Sequence, residues 1–390
     1  MEKSLFFLII LYFFSFSSKK EDQYLDFLEL QEKSAKEYVL DLFKEYDIVV
    51  LCERDHKEFT QYELFLDIIK DPYFIEAVGR VFTEVGVSNI DEKINEYIQT
   101  EYLDSSTSRN EVTSILRELD SSPWWHCYSY PWFLFELNKL NTKLSRGEKI
   151  TLHPSDIAFD WSVCKSSDDY VSFVKSIVNR DSLIAQNIIN KMNQLQSNGT
   201  RNKKALVIMN YKHAFLKDHR FEGVVTNNTA RYLSDQYKDK LASVYIMGLA
   251  IPEVGNYTVV KNGLWDYYFE KSDKTDVGFN LKNTPFGQEE FDVIPPDTLQ
   301  QFVYSDMFTG LVFYKPLQEH ELKTGWSDFA TIDFLPELRR RINIFNEAMG
   351  IEMTKEDIEG CLFDNNVEKT FQYNNIGTIK GKIDKWKNGL

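Results

Sequence analysis

Five apolar residues, Ile48-Val49-Val50-Leu51-Cys52, stop abruptly at Glu53-Arg54-Asp55-His56, and this junction constrains the fold more than any other stretch. An unbroken apolar run with no alternating polar face suits a strand covered on both sides, inside a parallel sheet. Phe59, Tyr62, Leu64, Phe65, Ile68 and Ile69 then recur at helical spacing as far as Asp71-Pro72, and Arg80 to Glu84 supplies a second strand. Glu84 follows Glu53 by 31 residues, which suits one right-handed βαβ unit of about 30 residues. Such a unit places Glu53, His56 and Glu84 along one carboxyl edge, at an exposed strand end. Ligands of open α/β sheets bind at that edge.

The junction recurs down the chain. Lys149 to Leu152 reads as a third strand, closed by His153-Pro154-Ser155-Asp156. One long helix is expected next, with Tyr170, Phe173, Val174, Ile177, Ile184, Ile188, Ile189 and Met192 on its apolar side. Ala205 to Met209 is a further buried strand ending in Asn210-Tyr211-Lys212-His213. A helix from Thr229 and a strand over Leu241 to Ala250 follow. Alternation of strand and helix predicts an α/β fold, a mostly parallel central sheet with helices on both faces. The expected organisation is an α/β domain over 24–315 with a helical insertion near 91–140, then a C-terminal helical appendage over 316–390. Leu264 to Phe269 reads as strand or hairpin, 278–296 as turn-rich, Phe308 to Tyr314 as a late strand, and Phe334 to Phe345 as a helix.

Before this alternation, Leu5 to Phe14 is an apolar run preceded by Lys3 and followed by Ser15-Phe16-Ser17. It is too short for a bilayer span of about 20 residues. Small residues at Ser15 and Ser17 fit a cleavage site, so residues 1–18 read as a signal peptide and the chain as exported, with no stable membrane span after cleavage. The net charge of -15 argues against nucleic acid as a partner, since phosphate binding needs clustered Lys and Arg. The four cysteines have no Cys-x-x-Cys spacing, and Cys52 reads as a small buried hydrophobe. The chain has no Gly-x-Ser-x-Gly, Walker loop, Gly-x-Gly-x-x-Gly or His-Glu-x-x-His. The aromatic patch Pro123 to Trp132, with His126 inside it, suits a packing cluster first and a pocket wall second.

The residues at the strand ends resemble the erythromycin esterase-like proteins and their wider TraB/Tiki and ChaN-like relatives. Those proteins carry Gly-Glu-x-x-His after one strand, Glu after the next, then Gly-x-Asp, and later His-x-x-His or Gly-x-x-His. Similar here are Cys52-Glu53-Arg54-Asp55-His56, Glu84, Ser155-Asp156 and Asn210-Tyr211-Lys212-His213. Cys52 stands in place of the glycine and Asn210 in place of the first histidine. The resemblance implies an exported hydrolase of an ester or amide bond in a small molecule or peptide, with Glu53, His56, Glu84, Asp156 and His213 as its catalytic set. Arg54, Arg80, His126 and Asn210 are read as substrate-binding. A carboxylate would orient His56 or His213 to take a proton from water. No cofactor is favoured. If a divalent metal such as manganese, cobalt or zinc is held, Glu53, His56 and His213 are its expected ligands. The rival class is a non-catalytic ligand-binding protein, with haem on His126 or Tyr128.

Overall fold

β1 (Ile48–Glu53) is buried along its whole length, and it occupies the middle of a seven-stranded sheet. The computed structural model describes residues 23–123, 128–197, 202–221, 224–253, 256–294, 301–374 and 376–389. Residues 1–18 and His126 lie outside them. The other strands are β2 (Arg80–Val87), β3 (Thr151–Asp156), β4 (Ala205–Asn210), β5 (Leu241–Ile246), β6 (Asp276–Asn280) and β7 (Gly310–Tyr314). Their order across the sheet is β6-β7-β5-β1-β4-β2-β3, and of these β6 alone runs antiparallel to its neighbour. The fold is therefore α/β with a mostly parallel central sheet. Three helices, Asp91–Gln99, Ser105–Leu116 and Ser129–Asn141, stand between β2 and β3.

Side chains of β1 alternate between two cores. Val49 and Leu51 pack with Tyr62, Leu64 and Phe65 from the helix Thr60–Ile69, and with Ile94, Val112 and Phe133 from the three inserted helices. Ile48, Val50 and Cys52 pack on the opposite face with Ile184 and Ile188, and with Ala230 and Leu233. Each fully buried Ile, Val or Leu contributes about 1.5–3 kcal/mol of transfer free energy, so both faces are firmly specified. The chain thus leaves β1 and β2 toward one face and β4 toward the other. A crevice opens at the carboxyl ends where neighbouring strands diverge in this way. Trp326, Leu338, Ile342 and Leu362 of the C-terminal region share the first of these cores.

Four local expectations are revised. The single long helix is two, Ser167–Ser176 and Arg180–Ser197, because Ile177 leaves helical geometry. Leu264–Lys271 is a helix, burying Trp265, Tyr268 and Phe269 at i, i+3 and i+4. The turn-rich stretch begins with a strand, β6, whose Gly278 faces the Tyr38 ring. A Cβ at Gly278 would sit 2.5 Å from Tyr38, so the glycine there serves close packing over the sheet. β3 continues through His153-Pro154-Ser155 rather than closing before them. Proline is tolerated there because β3 is an edge strand.

That edge is capped by side-chain amides. Asn141 exchanges hydrogen bonds with the backbone of Ile150 at 2.8 and 2.9 Å, and Asn95 does the same with Leu152 at 3.1 and 2.7 Å. Each amide substitutes for a missing neighbour strand, so these edge groups are not offered to another chain. Among the described residues no helix is long and apolar enough to cross a membrane.

Candidate functional site

β1 and β4 run in register with Glu53 opposite Asn210, which sets two polar groups side by side where the apolar strands end. β2 is irregular at the same level. Thr83 and Val87 are four positions apart while their partners Pro154 and Asp156 are two apart. Gly86 accommodates the bulge with φ +101°, a conformation that costs glycine little. Bulges re-aim side chains, and this one lies beside Glu84.

Glu53 is 1% exposed, so the expectation of an open strand end is corrected for this residue. It faces the core that holds the helix Thr60–Ile69, and Tyr62 donates to its Oε1 at 2.5 Å. Its Oε2 lies 2.7 Å from Nδ1 of His56, whose ring is 24% exposed. Burial works against a charge on His56, but Glu53, aided by Glu84 and Asp55, outweighs it and lifts the imidazole to about 9.

Glu84 is held from three directions. The Asn210 backbone N–H donates to Oε2 at 2.8 Å, while His213 Nε2 and Arg180 Nη2 each lie 3.1 Å from Oε1. Burial alone would raise the Glu84 carboxyl, yet His213, His56 and Arg180 hold it well below the usual carboxylate range. His213 Nδ1 is 2.7 Å from Asp181. With a carboxylate on each ring nitrogen His213 is an imidazolium. Against the burial that would lower it, Glu84 and Asp181 lift it to about 10. Arg180 Nη1 also lies 3.4 Å from His213 Nε2. Both are donors in this state, so the shorter contact to Glu84 is the hydrogen bond and Arg180 is a neighbour.

Glu84, Asp156 and His213, all named from the sequence, thus share one network through Arg180, and the Glu53–His56 pair lies near enough for Glu84 to help raise the His56 imidazole. Arg180 binds Asp156 through a fork at 2.9 and 2.8 Å. Arg180 and Asp181 escaped the sequence reading because they open a helix that was read as the middle of a longer one. Asp120 also belongs here. Burial and the nearby Asp156 raise its carboxyl to about 6, against the opposing influence of the Ser122 N–H, Arg180 and His56.

The substrate-binding set divides. Asn210 stays at the site, its Nδ2 donating to the Arg54 carbonyl at 3.2 Å. Arg54 is committed inside the fold, to the carbonyls of Met247 and Tyr314 and to buried Glu58, at 2.9, 2.7 and 3.2 Å. Glu58 in turn caps the helix Thr60–Ile69 through the N–H groups of Thr60 and Gln61. Arg80 is not brought to the site. It is the first residue of β2, at the opposite edge of the sheet, and donates to Met192 Sδ and the Asn202 carbonyl. Tyr128, the other residue named for haem, packs its ring against Phe59 and Trp326.

In this arrangement His213, one of the expected metal ligands, is committed to carboxylates. Among the described residues no three His, Cys, Asp or Glu are disposed to hold one. Both nitrogens of His213 face carboxylates and a guanidinium adjoins them.

Fold and site together define an α/β protein with a histidine and carboxylate network at its sheet's carboxyl edge. No family model matches the chain, and no curated protein matches it. Similar solved structures include a Bacillus cereus protein of 12% identity and TM-score 0.45, over 75% of this chain and 96% of that one. A succinoglycan biosynthesis protein has 11% identity and TM-score 0.45, over 70% and 89%. A mutant of the erythromycin esterase EreC, in its open conformation, has 12% identity and TM-score 0.44, over 70% and 91%.

Proposed function

We propose that this chain is an exported hydrolase of an ester or amide bond, with His56 moving the proton and Glu53 fixing its ring. The observation that carries this reading is the 2.7 Å contact between His56 Nδ1 and buried Glu53, near Glu84 at the carboxyl end of β1. In its neutral form His56 donates Nδ1–H to Glu53 and would take the proton of the attacking water on its other nitrogen. Attack of that water on the carbonyl builds negative charge on the carbonyl oxygen. Arg180 and His213, both cationic, are the groups suited to stabilise it. Both ring nitrogens of His213 are occupied by carboxylates, so it serves as a fixed charge and leaves the proton transfer to His56.

A panel of ester and peptide substrates tests this. The wild type should hydrolyse at least one of them, and His56→Ala should lose about 100- to 10,000-fold in rate at an unchanged unfolding midpoint. Equal turnover by the two proteins, or none by the wild type, overturns it.

A further inference from the structure

Beside the ends of β1 and β4 lies a cavity of about 110 Å³, walled by Tyr245, Tyr257 and Tyr373 and lined also by Asp55, Tyr211 and Lys212. Tyr211 is 6% exposed, and among the described residues its hydroxyl has no hydrogen-bond partner. Buried hydroxyls are almost always satisfied, which makes this one a candidate donor to a ligand atom in the cavity. Burial raises the Tyr211 phenol, which keeps it a neutral donor.

Two charged residues, Lys212 and Asp55, line the same cavity. The backbone N–H of Lys212 is fixed by Asn210 Oδ1 at 3.3 Å. Among the described residues its ammonium meets no carboxylate and lies 5.9 Å from the centre of the Tyr211 ring. The Asp55 carboxylate accepts from the Lys57 backbone N–H at 2.8 Å, and among the described residues no cation pairs with it. Lys212 and Asp55 are not paired with each other. Among the described residues neither charge forms an ion pair and the phenol has no hydrogen bond, so one small cavity offers a cation, an anion and a donor, with Asp55 also acting through space on His56.

We propose that this cavity binds a small zwitterionic amino-acid group, its carboxylate on Lys212 and the Tyr211 hydroxyl and its ammonium on Asp55. The tyrosine walls suit the ammonium as well, since ring faces attract cations. The small volume favours glycine or alanine over larger residues. As a statement of binding this stands alone. As a statement of substrate class, an amino-acid group beside the scissile bond, it rests on the hydrolase reading.

The test is calorimetric titration of the full chain with L-alanine, using wild type, Tyr211→Phe and Lys212→Gln. Wild type should bind, Tyr211→Phe should bind about 3- to 10-fold more weakly, and Lys212→Gln should lose at least as much. Tyr211→Phe should unfold no earlier than wild type, because the hydroxyl it removes has no protein partner. Acetate and methylammonium, each carrying one of the two charges, should bind more weakly than alanine. Absence of alanine binding, equal affinity in all three proteins, or acetate binding as tightly as alanine overturns the proposal. Alanine binding with this mutational pattern but without turnover of any substrate retains the cavity and removes the hydrolase. Turnover without alanine binding does the reverse.

Discussion

Arg180 grips Asp156 through two parallel contacts, Nε to Oδ1 at 2.9 Å and Nη2 to Oδ2 at 2.8 Å. The same Nη2 reaches Glu84 at 3.1 Å, so one guanidinium ties the carboxyl ends of β2 and β3. A lysine cannot reproduce that fork. Arg180→Lys and Arg180→Gln are both expected to destabilise the fold. Since the guanidinium is 39% exposed, solvent screening limits the loss to about 1–2 kcal/mol. Urea unfolding measures it, and an Arg180→Lys protein as stable and active as wild type would show that the fork is dispensable.

Glu53 sets the protonation of His56, and the sign of its effect is testable. A general base must be neutral. With His56 lifted to about 9, kcat/KM should rise with pH and level off above that value. Glu53→Gln removes the charge that most raises the imidazole, so the limb should move to lower pH while the plateau falls through loss of ring orientation. A limb unmoved in Glu53→Gln would show that the titrating group is not His56.

His213 makes stability depend on pH. Its folded value of about 10 lies above the ordinary 6.5, so its contribution is full below 6.5 and is lost as pH rises through about 10. Glu84 works at the other end. Its carboxyl is held well below 4.5, so its contribution is present above 4.5 and lost as pH falls through the lowered value. The network is therefore worth most between about 4.5 and 6.5. In thermal melts across pH, His213→Gln should flatten the decline toward pH 10. An identical alkaline decline in wild type and His213→Gln would dismiss this role.

The proposed export would place the mature N-terminus near residue 19, since small residues at Ser15 and Ser17 fit the cleavage rule. Mass spectrometry of protein collected outside the producing cell should find residues 1 to about 18 absent, and an intact Met1 would refute the cleavage.

The strand-end residues were legible because apolar runs mark central strands and the first charge after each run marks its carboxyl end. Glu53, Glu84 and Asp156 follow that rule, whereas His213, preceded by Lys212, was singled out only through the resemblance to the esterase-like pattern. Arg80 misled because it stands at the start of its run, and a parallel sheet sends strand starts to the far edge. Arg180 and Asp181 were hidden by the helical period of Tyr170 to Met192, which continues across the break at Ile177. The interruption Val178-Asn179 before two charges was the available signal. Tyr62 was legible as a helix-face residue, but its hydroxyl bond to Glu53 depends on how that helix packs. β6 carried too little signal, since Gly278 is dictated by the distant Tyr38.

The role of a metal can be decided by chelation. A divalent cation on Glu53, His56 and His213 would need free lone pairs on both imidazoles. His213 directs both nitrogens at carboxylates, Asp181 at 2.7 Å and Glu84 at 3.1 Å, and is held as an imidazolium. Binding would have to remove those protons and place a second cation near Arg180, 3.4 Å from His213 Nε2, where like charges repel. Hydrolysis is therefore expected to persist, within about 2-fold, after exhaustive dialysis against chelator, with an unchanged pH limb. Arg180→Ala makes the reasoning sharper. If the guanidinium is what repels a cation, this variant should acquire weak zinc or cobalt binding that wild type lacks, read directly by calorimetry. Loss of wild-type activity with chelator, restored by manganese, cobalt or zinc, would overturn the metal-free mechanism and require the two histidines to rearrange in the active state.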